Sequence, residues 1–272
     1  MFTVLGSTGF IGSHLLAHLQ KLGYPTYAPT RGDDNLYKRD LGNVIYAVGL
    51  TADFREKPFE TVEAHITVLQ DVLRRATFRS LLYLSSTRLY KYSGVGEEDM
   101  RLSITPSDPD DLYNLSKMMG EALCLGTGNK AVKVVRLSNV YGPNIASSNF
   151  LSEVLREGVL TGHVTLHSSL DSEKDYVSID DVVSLIPQII IKGQSRVYNI
   201  ASGSNISHGT LLVALSELIP ITIHVVDGAA KSLFPRISIG KVREEFGFQP
   251  RQIVDELPRL VAQYRSALTQ TA

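Results

Sequence analysis

A single cysteine, Cys124, gives the chain no internal disulfide, which fits a reducing compartment. No stretch approaches the roughly 18 uninterrupted apolar residues of a membrane-spanning helix, so no membrane partner is expected. Charge of one sign is also missing: 27 Lys and Arg balance 28 Asp and Glu, a formal net charge of −1. That balance gives no electrostatic attraction to nucleic acid or to an anionic bilayer. The first residues, Met1-Phe2-Thr3-Val4-Leu5, read as a strand and not as a basic leader with an apolar stretch. We therefore expect no targeting peptide and a cytoplasmic location. Internal repeats, low-complexity tracts and a Pro/Gly/Ser linker are absent as well, and no metal site is read from the sequence.

What is present is an alternation. Short apolar runs at Phe2–Leu5, Thr26–Pro29, Val44–Val48, Ser80–Leu84 and Val132–Leu137 read as strands. Helical patterns at Ile11–Lys21, Phe59–Ala76 and Leu112–Leu125 lie between them. Such βαβ alternation predicts a parallel sheet covered on both faces. After Tyr141 the rhythm loosens, with helices expected at Phe150–Glu157, Ile179–Ile191, Thr210–Leu218, Gly240–Phe246 and Ile253–Leu268. Short strands are expected there at Val164–His167, Tyr198–Ile200 and Ile221–Val226. The fold class is thus α/β, a doubly wound parallel sheet over residues 1–143 with a smaller C-terminal substrate lobe over 144–272. Some segments of that lobe are expected to return to the sheet.

Gly6-Ser7-Thr8-Gly9-Phe10-Ile11-Gly12 follows the first strand at once and opens a helix. Glycines there allow a sharp turn and let backbone N–H groups approach a pyrophosphate at the helix N-terminus, as in a Rossmann-type nucleotide site. Further on, Tyr113-Asn114-Leu115-Ser116-Lys117 places a phenol and an ammonium at i and i+4 on one helix face. A nearby cation favours the phenolate, so the Tyr113 pKa is expected to fall. The second strand runs into Pro29-Thr30-Arg31 with no acid to accept from a ribose 2′-hydroxyl. Arg31 could pair a 2′-phosphate there, which favours NADP(H) and leaves NAD(H) open.

The glycine spacing and the words Gly9-Phe10-Ile11-Gly12-Ser13-His14-Leu15 resemble the extended short-chain dehydrogenase/reductase superfamily. That group contains the nucleotide-sugar epimerases, dehydratases and ketoreductases. Ser85-Ser86-Thr87-Arg88-Leu89-Tyr90 is similar to the family's Ser-Ser-x-x-x-Tyr run. Counting back four from Tyr90 makes Ser86 the catalytic hydroxyl, with Thr87 the alternative if the register slips by one. The resemblance implies that Ser86 donates to the substrate oxygen, Tyr113 exchanges the proton and Lys117 lowers the Tyr113 pKa while holding the nicotinamide ribose. Arg136-Leu137-Ser138-Asn139-Val140-Tyr141-Gly142-Pro143 and Lys174-Asp175-Tyr176-Val177-Ser178-Ile179-Asp180-Asp181 look like two further family segments.

The implied cofactor contacts are Gly6, Thr8, Gly9, Phe10, Ile11, Gly12, Thr30, Arg31, Val48, Gly49, His65, Tyr113, Lys117 and Leu137, with Asp40-Leu41 as the adenine contact. The implied substrate contacts are Thr87, Asn139, Asn149, Lys174 and Arg236, of which Asn139, Lys174 and Arg236 are the implied contacts to the diphosphate of a nucleotide-linked sugar. His65 stands where members usually have asparagine; it either replaces that hydrogen bond or is a plain helix-face histidine.

Two departures matter. The stretch between Arg31 and Val44 is too short for a complete third strand–helix unit. Thr87 and Arg88 also stand where dehydratases of the group carry an acid pair, so elimination of water is not expected. The resemblance then points to an NADPH-dependent reductase of a nucleotide-linked keto sugar, with a 4-epimerase as the alternative. A reductase or isomerase for a non-nucleotide substrate, and a non-catalytic NADP-binding regulatory protein, stay open. A homodimer through a four-helix bundle that includes the Tyr113 helix is also implied.

Overall fold

The computed structural model describes residues 1–51 and 53–269. The first half runs β1 (Phe2–Leu5), α1 (Phe10–Lys21), β2 (Thr26–Tyr27), β3 (Asn43–Tyr46), α2 (Pro58–Val62), α3 (Val68–Arg75), β4 (Ser80–Ser86), α4 (Asp111–Gly126) and β5 (Val132–Leu137). It continues with β6 (Asn139–Tyr141), α5 (Phe150–Thr161), β7 (His163–Ser168), β8 (Glu173–Ser178), α6 (Ile179–Lys192) and β9 (Val197–Ile200). The remainder is β10 (Asn205–Ser207), α7 (His208–Ser216), β11 (Thr222–Ala230), α8 (Gly240–Phe246) and α9 (Ile253–Thr269).

The central sheet has six strands in the order β2-β1-β3-β4-β5-β9, all paired in parallel. Its strands are buried on both faces, which is why they read as continuous apolar runs. Side chains alternate between the faces. Val4, Leu82 and Val135 pack with α1 and α6, and Leu5, Leu81 and Val134 pack toward α3 and α4. A full doubly wound sheet has strand order 3-2-1-4-5-6. Here, from β2, the chain passes through a 3₁₀ turn (Asp34–Tyr37) straight to β3 on the other side of β1. Among the described residues no strand lies outside β2. That strand keeps only Thr26 and Tyr27 of its expected span, because it has one neighbour and Pro29 has no N–H to donate.

Two late elements complete this half. β9 closes the sheet beside β5, and α6 lies beside α1. The other lobe joins β6 and β8 in parallel and β8 and β10 antiparallel, with β7 and β11 as a second pair. Its core is Leu151, Leu155, Leu211, Leu215, Leu257 and Leu260 from α5, α7 and α9. The buried Asp175 carboxylate on β8 accepts from the backbone N–H groups of Ser202, Gly203 and Ser204 (2.9, 2.8 and 3.2 Å), tying the end of β9 to the lobe. No helix among the described residues is long and apolar enough to cross a membrane.

The helix expected at Phe59–Ala76 is interrupted by a π turn, Glu63–Thr67, between α2 and α3. On α4, a Cβ at Gly120 would meet the Tyr83 hydroxyl at 2.4 Å, so glycine lets this helix approach β4 closely. One residue on, Glu121 takes a fork of hydrogen bonds from Arg136 of β5, with Nη2–Oε2 at 2.7 Å and Nε–Oε1 at 2.9 Å. Arg136 Nη1 also donates to the Tyr90 hydroxyl (2.7 Å) and the Glu98 carbonyl (3.1 Å). Both ions are buried, so removing one leaves the other uncompensated. Arg136→Met is expected to lower unfolding free energy in urea by about 3–5 kcal/mol, and Arg136→Met with Glu121→Met to lower it by much less.

Candidate active site

Gly6 ends β1 with φ +83°, and a Cβ there would lie 2.7 Å from the Ala47 carbonyl. At Gly12 a Cβ would come within 2.1 Å of the Gly6 oxygen. Both glycines are demanded by the turn itself. Gly9 is different: its added Cβ would meet nothing closer than 3.5 Å, yet it caps α1 with no side chain over the first N–H groups. The first turn of α1 also has no acid. Thr8 and Gly9 are exposed, and Phe10 and Ile11 are half-buried beside them. The free N–H groups, the positive helix end and the bare Gly9 fit a dinucleotide pyrophosphate.

Thr30 and Arg31 are exposed where the chain leaves β2. Asp33, the next acid, is engaged: the Tyr27 hydroxyl donates to it at 2.6 Å and the Asn35 N–H at 2.9 Å. Val48 and Gly49 follow β3 across the crevice from the glycine turn. The expected adenine contact at Asp40-Leu41 is not brought there. Leu41 is fully buried, donates its N–H to Thr77 and accepts from the Thr3 hydroxyl, while Asp40 accepts from Gly42 N–H within its own turn. These residues precede β3, at the end of the sheet opposite the glycines. Without a third strand–helix unit the chain returns directly to that end.

β4 ends at Ser86, whose hydroxyl accepts from the Arg88 N–H at 3.1 Å and starts a 3₁₀ turn, Thr87–Tyr90. Thr87 is buried, and Leu137 closes the neighbouring strand end on β5. Tyr113 projects from the first turn of α4, 5% exposed, with the Ser86 hydroxyl near enough to pull on its pKa. Lys117, one turn on and equally buried, donates from Nζ to the Leu84 carbonyl at 2.9 Å. Its ammonium lies 5.9 Å from the Tyr113 ring centroid. Burial pushes the Lys117 pKa down to about 7, with Glu121 opposing. Burial also raises the Tyr113 pKa, against the pull of the Ser86 hydrogen bond and the Arg88 charge. The lowering expected from Lys117 is therefore not the balance found, because enclosure disfavours both charged forms together.

The phenol is covered by side chains that sequence reasoning did not single out. Phe54, 1% exposed, packs its ring 5.4 Å from that of Tyr113. The Arg88 guanidinium stands 5.0 Å from the Phe54 ring and 5.6 Å from the Tyr113 ring. Asp110, just before α4, pairs with Arg55 at 2.6 Å and with Arg88 at 3.3 Å. In the sequence Arg88 was legible only as a missing acid, and nothing local marks Phe54 or Asp110.

The expected substrate residues are spread through the second lobe. Asn139 donates from Nδ2 to the Asp175 carbonyl at 2.8 Å, and Asn149 caps α5 by accepting from Ser152 N–H at 3.0 Å. Arg236 donates from Nε to the Gly203 carbonyl at 2.6 Å. Lys174 is half-buried, 5.2 Å from the Phe150 ring centroid, and forms no ion pair among the described residues. Burial, and then the charge of Arg88, push its pKa down. His208 stacks on Phe150 at 3.8 Å, with Nδ1 hydrogen-bonded to Ser168 and Nε2 buried without a partner.

His65 lies on the π turn, fully buried. The Ser116 hydroxyl donates to the Tyr113 carbonyl (2.8 Å), so His65 Nδ1 must carry the hydrogen that reaches Ser116 Oγ at 2.8 Å. Nε2 then accepts from Leu50 N–H at 3.3 Å. A Cβ at Gly49 would press on this nitrogen at 2.9 Å. Burial, and then Lys117, push the His65 pKa down to about 2, so the ring stays neutral. The unfolded chain takes up a proton near pH 6.5 that the folded chain refuses, so stability falls as pH falls below that value. The loss at pH 5 is about 2 kcal/mol. Urea midpoints of His65→Asn measured at pH 7 and pH 5 are expected to differ less than those of the unaltered protein.

The pattern of the NAD dependent epimerase/dehydratase family matches residues 36–201. A dTDP-D-glucose 4,6-dehydratase of Dictyostelium discoideum is 23% identical over 75% of this chain and 59% of its own length. The chain spans about six-tenths of the curated relatives it matches. Among solved structures, RMD from Pseudomonas aeruginosa, complexed with NADPH, superposes with a TM-score of 0.79 at 21% identity, over 98% of this chain and 100% of that one. The UDP-glucuronic acid 4-epimerase of Bacillus cereus, with UDP-glucuronic acid and NAD, gives 0.81 at 18% identity over 98% and 99%. Six parallel strands, a glycine turn at the switch point and a family pattern over more than half the residues leave one conclusion: the chain belongs to the NAD dependent epimerase/dehydratase family.

Proposed function

We propose that the protein is an NADP(H)-dependent reductase of a nucleotide-linked keto sugar. The observation that carries this reading is the meeting of Ser86, Tyr113 and Lys117 at the carboxyl end of β4, beside the crevice between β1 and β3. A bound nicotinamide dinucleotide supplies the hydride chemistry. Gly6, Gly9 and Gly12 with the open N-terminus of α1 hold its pyrophosphate, and Thr30 and Arg31 meet its adenosine ribose. Ser86 donates a hydrogen bond to the sugar carbonyl, and Tyr113 gives up its phenolic proton as the alcohol forms. A phenol with a raised pKa is held protonated, the form that reduction needs. Lys117 stabilises the phenolate left behind. Asn139, Lys174 and Arg236 serve the diphosphate, with Thr87 and Asn149 nearer the sugar.

Thr87 and Arg88 offer no acid and base for removing water, which argues against a dehydratase despite the Dictyostelium relative. A 4-epimerase is the second reading, and the NAD bound to the Bacillus cereus epimerase favours it. The exposed pair Leu115 and Met119 on the outer face of α4, with Phe59 on α2, supports a homodimer through this helix.

The deciding assay is NADPH oxidation with 4-keto sugar nucleotides. Net oxidation supports the reductase; stoichiometric NAD carried through purification, with no NADPH consumed, would sink it. Tyr113→Phe is expected to slow turnover by about 10²–10⁴-fold while NADPH binding, followed by fluorescence, changes little. Arg31→Ala is expected to weaken NADPH about tenfold and leave NADH unaltered in the same titration.

A further inference from the structure

Opposite the catalytic end, the sheet opens into a cavity of about 470 Å³ that the reduction does not use. Its floor is built from strand starts. Phe2, Asn43 and Ser80 are the first residues of β1, β3 and β4, and Lys133 is the second of β5. Ile190 of α6 forms part of the wall, and Tyr24, Arg79 and Ile191 stand exposed at the mouth. Ser80 and Ser86 open and close one strand, about 20 Å apart at the usual rise per residue, so this space is separate from the crevice at Tyr113.

Lys133 is the group in this cavity that lacks a partner. It pairs in register with Leu82, which puts its side chain on the sheet face that α6 covers. It is 7% exposed, and its ammonium has neither a hydrogen bond nor an ion pair among the described residues. Burial pushes its pKa down, with the charge of Glu245 opposing. Glu245 is engaged elsewhere: it accepts from Gln194 N–H (3.0 Å), the Ser195 hydroxyl (3.1 Å) and the Tyr198 hydroxyl (2.7 Å). Arg196, whose charge also reaches Lys133, donates to the carbonyls of Val132, Leu125 and Cys124. No acidic side chain lines the cavity, whereas Lys133 and Arg79 both do, and Arg79 forms no ion pair among the described residues. The floor is otherwise satisfied, since the Ser80 hydroxyl donates to Asn43 Oδ1 (2.8 Å) and Asn43 Nδ2 to the Met1 carbonyl (3.4 Å). A buried ammonium without a counter-charge costs free energy that an anion in contact with it recovers.

We propose that this cavity is a second ligand site and takes an amphipathic anion, whose carboxylate or phosphate head pairs with Lys133 while an apolar chain or ring lies along Phe2, Tyr24 and Ile190. Its volume is within the usual range of small-molecule sites, roughly 300–1,000 Å³. Arg79 at the mouth adds attraction for the same charge. The donors suit an anion of either shape, so the head is left to experiment. Cofactor and sugar meet at the opposite strand ends, and the two sites fill independently.

The test is isothermal titration of the full chain with octanoate, octyl phosphate and octanol, each with and without NADP and UDP. The expected result is that at least one of the two anions binds about tenfold or more tightly than octanol, with NADP and UDP making no difference. The tighter anion then identifies the head. In Lys133→Met the advantage over octanol disappears, while octanol itself stays within about threefold of the unaltered protein. Without ligand, Lys133→Met is expected to have a higher urea midpoint, because a buried charge has been removed. The bound anion raises the midpoint of the unaltered protein and leaves that of Lys133→Met where it was. Equal affinity for the anions and the alcohol overturns the proposal, as does binding of none of the three. An advantage that survives in Lys133→Met overturns it too. Displacement of the anion by NADP or UDP does the same, by moving it to the catalytic cleft. The comparison of anion and alcohol on the unaltered protein needs no variant, so it decides the question even if Lys133→Met misfolds.

Discussion

The buried fork between Arg136 and Glu121 is the interaction on which the site's geometry turns. Gly120 lets α4 come down onto Tyr83, but close approach alone leaves the helix free to rotate about its axis. The ion pair removes that freedom by fixing one rim of α4 to β5. With rotation fixed, Tyr113 and Lys117, two turns and one turn earlier, point at the end of β4 where Ser86 and the Leu84 carbonyl wait. Arg136 also reaches Tyr90, and Tyr90 reaches Asn199 on β9 at 2.9 Å. Helix α4, the turn after β4 and the closing strand β9 are thus linked through one cation. A buried pair of this kind adds little net stability over an apolar pair, and its value is in specifying one arrangement.

Enclosure sets the proton chemistry of the cleft. Tyr113 is pushed up, Lys117 down and His65 far down, each toward its neutral form. In this state the site stores a protonated phenol beside a weakly basic amine and a neutral imidazole. Such an arrangement gives a proton readily once negative charge develops on a bound oxygen, since the cost of a buried charge is then shared with its partner.

Legibility divided along physical lines. The parallel sheet and the strands Phe2–Leu5 and Val132–Leu137 were readable because strands buried on both faces are mostly apolar, with Thr3, Lys133 and Arg136 as the exceptions. Gly12 was readable because its steric demand comes from a turn local in sequence, whereas Gly6 answers both to its own left-handed turn and to Ala47 beyond β3. Tyr113 and Lys117 were singled out by their spacing and Ser86 by the family resemblance, and the structure brings the three side chains to the end of β4. Asp40 and Leu41 failed as an adenine contact because the same shortening that removed the outer strand also redirected the chain before β3. The charge balance at Lys117 could not be read, since it depends on burial by distant segments. The cover of Phe54, Arg55, Arg88 and Asp110 was equally hidden, for it joins a loop after β3 to the start of α4 through an ion pair with no local signal. The π turn at His65 has the same origin: it answers to Ser116 and Leu50, not to its own helix.

The place of β9 in the sheet bears on how this protein is made. Until Val197–Ile200 has left the ribosome, β5 presents the unpaired edge of an apolar strand, and until Ile179–Lys192 has emerged one face of the sheet is half bare. The nucleotide half therefore cannot close as soon as its own residues are synthesised. The part of the second lobe from β6 through β8 must be translated first, so the nascent chain passes through a sticky, open-edged stage. A sheet finished by a late strand is also one of long sequence separation, which slows folding relative to a locally wired domain.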